Sequence, residues 1–348
     1  MRALTQKLLR NIWSMRGQTA AIALVMTCGV AVFIMALSTL DSLQITRQSF
    51  YQDYRFADVF ASLKRAPQQV EDRIRQIPGV EQLEARVIAG ATLSIETFPE
   101  PIRGQINSYP DEREPRLNQL YVREGRLLTP YASDEILVSD GFADAHGFVP
   151  GDTIQAVING RQRDLTIVGI VLSPEYIFQM APGAVFPDYK RFGVLWMNRS
   201  ALAAAYDMEG AFNNVVLGLS GGSSARDVIE RLDLILDPYG GLGAYAREDQ
   251  QSHFFLSEEF RQLESFATML PAIFLGVAAF LLNVVVRRLI QTQREEIAVL
   301  KAFGYSNWQV GAHYLQLVGV MISFGILGGI AGGVWLGQGL AELYQEFY

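Results

Sequence analysis

A single cysteine, Cys28, and three histidines, His146, His253 and His313, are all that this 348-residue chain offers of the residues that most often bind metals or attack substrates. Cys28 can form no internal disulfide, so any large folded domain must hold together without one. It sits in an apolar run and reads as a small buried apolar residue. HExxH, CxxC and GxSxG patterns are all missing. Gly221-Gly222-Ser223-Ser224 lacks the lysine of a phosphate-binding loop and reads as the start of a helix. Asn198-Arg199-Ser200 fits a glycosylation sequon, a pattern too short to carry weight. Asp111, Glu112 and Glu114 stand among Arg113, Pro115 and Arg116, as in a solvated loop. No catalytic activity, metal or cofactor is expected of this chain.

Charge is missing from three stretches: residues 17–40, 265–286 and 302–341. A bilayer-spanning helix needs about 20 mostly apolar residues, and only these stretches qualify. The first has a basic start, as a cleaved signal peptide does. Its apolar core exceeds the roughly 7–15 residues of signal cores, which favours an uncleaved anchor. Residues 1–18 carry Arg2, Lys7, Arg10 and Arg16 and no acid. The loop 287–301 carries Arg287, Arg288, Arg294 and Lys301 against Glu295 and Glu296. The region between the first two apolar stretches holds 21 bases against 32 acids. The positive-inside rule then puts both basic segments in the cytoplasm and the acidic region outside. The whole-chain charge of −7 conceals this asymmetry. It does not point to nucleic acid, and no such partner is expected.

The expected fold is an α-helical transmembrane protein of three spans with a large α+β extracytoplasmic domain between spans 1 and 2. The expected divisions are a cytoplasmic amphipathic helix at 1–18, transmembrane helices at 19–40, 266–286 and 313–340, the extracytoplasmic domain at 41–265, a cytoplasmic loop at 287–312 and an extracytoplasmic end at 341–348. Leu4, Leu8, Ile12 and Met15 form the apolar stripe of the first helix, with Lys7 and Arg10 off it. Leu43, Phe50 and Tyr54 continue helical spacing past the first span. Leu256, Phe260 and Leu263 do so ahead of the second. Both spans are therefore expected to project as a stalk, the alternative being ordinary loops.

Within the domain, Pro67 is read as opening a helix with Val70, Ile74 and Ile77 on one face, stopped by Pro78-Gly79. Ser223 or Ser224 caps another, with Val228, Leu232 and Ile235 on one face, stopped by Asp237-Pro238. Each is followed by a β-like run, so one α/β unit is expected near each end of the domain. Strands are expected at 135–139, 153–158, 165–171 and 213–219, with Asn159-Gly160 as a two-residue hairpin. Glu175-Tyr-Ile-Phe-Gln-Met180 reads as a buried edge or loop, with a lipid contact as the alternative. In the third span Gly325, Gly329, Gly333 and Gly337 recur every fourth residue, a face on which another helix can pack closely. The alternative is a merely flexible helix.

In the basic loop, Ile297, Leu300 and Gly304 share one helical face, with Arg294, Glu295, Glu296 and Lys301 around it. Phe303 and Tyr305 are aromatic anchors, and Gly304 ends the helix. Such a helix can dock into a groove on a soluble partner or can simply connect two spans.

The run Gln293-Arg-Glu-Glu-Ile-Ala-Val-Leu-Lys-Ala-Phe-Gly-Tyr305 resembles the signature of permease subunits of FtsX/MacB/LolC-type ABC transporters. Glu124-Gly125-Arg126, Val149-Pro-Gly-Asp-Thr153 and Ile167-Val-Gly-Ile170 resemble that family's periplasmic, MacB-like domain. The resemblance implies a coupling helix formed by Arg294, Glu295, Glu296, Ile297, Leu300, Lys301, Phe303 and Gly304, seated on a separate cytoplasmic ABC ATPase that holds ATP and Mg. It implies a second permease half or a homodimer, membrane lipids and a periplasmic adaptor as partners, and a multi-pass location in the bacterial inner membrane. The implied function is export or extraction of a lipid, lipoprotein, peptide or drug, driven by motion passed to the outer domain. The alternatives are a membrane-anchored sensor and a scaffold that regulates envelope enzymes. The family has a fourth span that this sequence lacks, which suggests the first part of a larger permease.

Overall fold

The computed structural model describes residues 10–95, 98–181, 183–184 and 186–347, with the backbone alone for 340–347. The amphipathic reading of Leu4, Lys7 and Leu8 lies outside these residues; residues 10–14 are helical. Two compact units divide the chain, Met1–Thr46 with Glu259–Tyr348, and Arg47–Glu258. The first long helix, α1 (Arg16–Asp53), contains the charge-free stretch and continues for 13 residues after Leu40. At 1.5 Å per residue that continuation is about 20 Å long, helical rather than looped.

The second unit opens with β1 (Val59–Pro67), α2 (Val70–Arg75) and β2 (Val80–Arg86). The chain then leaves to build β3 (Ile88–Ile95), β4 (Phe98–Tyr109), β5 (Tyr121–Gly125), β6 (Glu135–Ser139), α3 (Asp140–His146), β7 (Thr153–Ile158), β8 (Arg161–Leu172), β9 (Phe192–Asn198) and α4 (Arg199–Ala205). It returns with β10 (Ala211–Leu219), α5 (Ala225–Leu236) and β11 (Gly241–Ala246).

The first and last groups form one four-stranded antiparallel sheet in the order β11-β1-β10-β2. The two strands of each βαβ unit thus flank a strand of the other, an interlocked split-βαβ arrangement. The repeat read at the two ends of the domain is two halves of one sheet. Its core joins Val70 and Ile74 of α2 and Val228, Leu232 and Leu236 of α5 to Val59, Val215 and Leu217. Ser224 caps α5, its hydroxyl accepting from the Asp227 N–H at 3.3 Å. Two details differ from expectation. Pro67 closes β1, paired with Ala211, instead of opening α2. Leu236 is fully buried where Ile235 was expected on the inner face, and Ile235 is only half-buried.

The inserted strands form a second sheet in the order β5-β8-β6-β9-β4-β3-β7, and pairing of β8 with β7 closes it into a ring. Asn159 and Gly160 take φ of 46° and 76° between β7 and β8, the positive-φ pair of a tight hairpin. Leu93, Ile102, Ile106, Ile136, Ile154 and Leu165 fill the interior, with Phe142 of α3 against them.

The chain leaves the domain through α6 (Gln251–Thr292), followed by α7 (Arg294–Ala302) and α8 (Asn307–Phe347). Among the described residues, α1, α6 and α8 are the helices long and apolar enough to cross a membrane, by length and composition. They flank a large α+β domain, as expected.

Candidate functional site

The helix α7 is set off from its neighbours by two local devices. Gln293, at φ −96° and ψ 18°, breaks α6 from α7. Its side chain is held on three bonds: it exchanges hydrogen bonds with the Asn11 amide at 3.4 and 3.1 Å and accepts from the Tyr314 hydroxyl at 2.9 Å. At the other end Gly304 takes φ +89°, a backbone that a Cβ would strain. The Tyr305 N–H reaches the Leu300 carbonyl at 3.2 Å and the Gly304 N–H reaches that of Lys301 at 3.0 Å. That pair of bonds is a Schellman stop. Immediately after it, Ser306 and Gln309 cap α8 reciprocally. The Gln309 N–H donates to the Ser306 hydroxyl at 3.3 Å, and the Ser306 N–H donates to the Gln309 side chain at 2.9 Å.

These ends fix which way α7 faces. Ile297, Leu300 and Tyr305 pack inward on Leu289, Val310, Tyr314 and Leu317. The apolar stripe of the sequence therefore seats α7 on its own unit. What faces out is different: Val299 is 53% exposed, Phe303 80% and Trp308 78%. Arg294, Glu295, Glu296, Lys301 and Gly304 are exposed around them. The acids stand in the first turn and the lysine in the last, each favourable to the helix dipole. Of the residues read as coupling candidates, the structure leaves Arg294, Glu295, Glu296, Lys301, Phe303 and Gly304 exposed and half-buries Ile297 and Leu300 against their own unit. Sequence reading missed Val299, Trp308, Gln293 and Asn11. The Ser306-x-x-Gln309 spacing was a local signal that could have placed Trp308 in the first turn of α8.

The four glycines of α8 face α1. A Cβ added at Gly325 would lie 2.6 Å from Met26 Cβ, at Gly329 2.5 Å from Val30 Cβ, and at Gly333 2.8 Å from Ile34 Cβ. Gly337 is looser, 3.8 Å from the Ser38 hydroxyl. Thr27 adds a hydrogen bond from its hydroxyl to the Gly325 carbonyl at 3.2 Å. Contact at this range brings backbone to backbone, the packing that small residues permit between helices in lipid.

The histidines are dispersed. His146 lies among Phe98, Phe142 and Phe148, and His253 bonds Tyr51 at 3.1 Å. His313 is buried beside Tyr314.

The chain thus combines a unit of helices long and apolar enough to cross a membrane with a mixed α+β unit. Residues 19–235 match the MacB-like periplasmic core domain, and residues 268–347 match the C-terminal part of FtsX-like permeases. This chain belongs to the FtsX/MacB-type permease family. That places it among ABC transporter permeases, which work with an ATPase subunit. No curated protein matches it. Among solved structures it is similar to the extracellular domain of the noncanonic ABC-type transporter YknZ from Gram-positive bacteria, at 12% identity and TM-score 0.35, over 55% of this chain and 98% of that one. It is also similar to the periplasmic region of MacB from Actinobacillus actinomycetemcomitans, at 9% identity and TM-score 0.35, over 61% of this chain and 95% of that one.

Proposed function

We propose that this chain is a permease subunit that couples ATP hydrolysis on a separate cytoplasmic ATPase to export or extraction of a lipid, lipoprotein, peptide or drug. It lies as a multi-pass protein in the bacterial inner membrane, paired with a second permease half or a second copy. The observation that supports this reading most is the outer face of α7. Two aromatic rings, Phe303 at the C-terminal end of α7 and Trp308 in the first turn of α8, are about four-fifths exposed, and the other face of α7 is anchored to its own unit. An apolar, charge-rimmed surface of this kind suits a groove on a partner. Because Ile297 and Leu300 seat the helix, force applied to Phe303 passes to α6 and α8 rather than being lost in loop motion. ATP and Mg belong to the ATPase. α1 and α6 carry the motion to the domain outside.

The test is co-purification of the tagged chain in detergent with its ATPase. The variant Phe303→Asp/Trp308→Asp, which changes only exposed residues, is expected to lose the ATPase at least tenfold while keeping the wild-type melting temperature. If the variant retains as much ATPase as wild type, α7 is not the docking element. If wild type binds no ATPase, the permease reading fails.

A further inference from the structure

The loop after β8 carries a buried carboxylate in an otherwise apolar stretch. Glu175 is 6% exposed and Arg86, at the end of β2, is 7% exposed. Arg86 donates to both oxygens of Glu175, at 2.6 and 2.9 Å. Its Nε and Nη2 also donate to Asn214 Oδ1 on β10, at 2.9 and 2.7 Å. Arg86 and Asn214 are cross-strand partners, so the guanidinium is fixed to the four-stranded sheet at both strands. Burial works against the charged guanidinium and the Glu175 carboxylate more than offsets it, so Arg86 is held still further above its ordinary range. A buried pair of this kind needs every donor and acceptor placed, and the remaining partners of Glu175 are informative.

They lead to the ends of both long helices. Asn118 Nδ2 donates to Glu175 Oε2 at 2.6 Å, and Asn118 Oδ1 accepts from the Ala57 N–H at 2.8 Å. The Asn118 and Gln119 N–H groups bond the carbonyls of Arg55 and Tyr54, both at 2.9 Å. Those residues directly follow the last turn of α1. On the other side, Gln250 Nε2 donates to the Glu175 carbonyl at 2.8 Å, and Gln250 Oε1 accepts from the His253 N–H at 2.8 Å. Gln250 thus caps α6 with one end of its amide and grips the loop with the other. The Phe178 N–H donates to the Ser252 hydroxyl at 2.9 Å, fastening the same loop to the first turn of α6. The next residue, Tyr176, reaches β4 of the ring through Gln105 at 2.8 Å and Asn107 at 3.0 Å.

We infer that Glu175 is the positioning residue of a joint through which the C-terminal end of α1 and the N-terminal end of α6 are fastened to both sheets of the domain. Asn118 ties the residues after α1 to the Glu175 carboxylate, and Gln250 ties α6 to the Glu175 main-chain carbonyl, so a shift of either helix end that keeps these bonds moves Glu175. It therefore drags Arg86 and, with it, β2 and β10. The purpose of the joint rests on the permease reading, while its existence does not.

Two measurements separate these. The first is hydrogen exchange on the chain alone in detergent. Arg86→Met/Glu175→Met replaces the buried pair with apolar groups of similar size, a change that folds can tolerate. Gln250→Met severs only α6. The double variant is expected to raise exchange at least tenfold at residues 54–58 and 250–254 together, with amides of β6 and β9 as slow as wild type. The single variant is expected to do so at 250–254. If neither variant changes exchange at the helix ends, or if all strands loosen alike, the joint is overturned.

The second places spin labels at Gln262 and Arg161 in the chain bound to its ATPase. In wild type ATP is expected to shift the label distance, and in the double variant the shift is lost while ATP turnover stays within twofold. An unchanged shift in the double variant overturns the transmitting role of Glu175. A wild-type protein that shows the exchange result and no ATP-driven shift upholds the joint and sinks the permease reading instead.

Discussion

Gly329 of α8 and Val30 of α1 approach so closely that a methyl group on the glycine would lie 2.5 Å from the valine Cβ. Real Cβ atoms do not come that near, so Gly329→Ala must push the helices apart. The expected cost is about 1–3 kcal/mol. The control is Gly319→Ala, because a Cβ there meets nothing within 4 Å. Melting of the two variants in detergent checks this: Gly329→Ala is expected to melt several degrees below wild type and Gly319→Ala at or slightly above it. Equal melting would show that α1 and α8 are not held at glycine range.

Gln293 joins three elements through one amide. Gln293→Leu removes the Asn11 and Tyr314 bonds and leaves the Asn11 amide without its partner. A buried group left unsatisfied costs about 1–3 kcal/mol. The helix α7 keeps its Schellman stop, so it still forms, but its angle to α6 is freed. The expected outcome is a roughly tenfold weaker affinity for the ATPase in titration, with a smaller loss of melting temperature. Unchanged affinity would make Gln293 a mere link.

Ser224→Ala removes the cap of α5, whose hydroxyl accepts from the Asp227 N–H. The expected loss is about 1 kcal/mol, read as a melting temperature about 2–4 °C lower. Ser224→Asp should restore it, because a carboxylate accepts the same bond and suits the positive helix end. Failure of the aspartate to restore would mean that the Ser224 hydroxyl does not stabilise α5 by capping it.

Features set by neighbours in sequence were legible before the structure. Asn159-Gly160 marks its own hairpin, Ser224 its own helix, and Gly325 to Gly337 their own face. Strands whose pairing is distant were not: β9 (Phe192–Asn198) is buried along its whole length and shows no alternation to read. Pro67 was misplaced because proline suits both a helix start and a strand end, and only its pairing with Ala211 decides. The stripe Ile297–Leu300 showed that α7 has two faces. It could not show that the apolar face is already covered by Leu289 and Leu317. Arg86 and Glu175 stand 89 residues apart. In sequence Glu175 is one acid at the edge of an apolar run.

The domain also carries a carboxylate whose charge is tied to acid stability. Glu135 accepts from Arg126 at 2.6 and 3.0 Å and from the Thr129 N–H at 2.8 Å. The Arg126 bond is the main reason that its pKa falls to about 2. An unfolded glutamate titrates near about 4.3, so the folded state holds the proton less tightly. The stabilisation is complete above that value and is lost as pH falls from about 4.3 toward 2. Arg126 is 53% exposed, so solvent screening limits the effect to about 1 kcal/mol or less. Glu135→Gln is therefore expected to melt up to about 2–4 °C below wild type at pH 7, with the gap closing between pH 4 and pH 2.5. A gap that stays constant across that range would show that shape, not charge, is what Glu135 supplies.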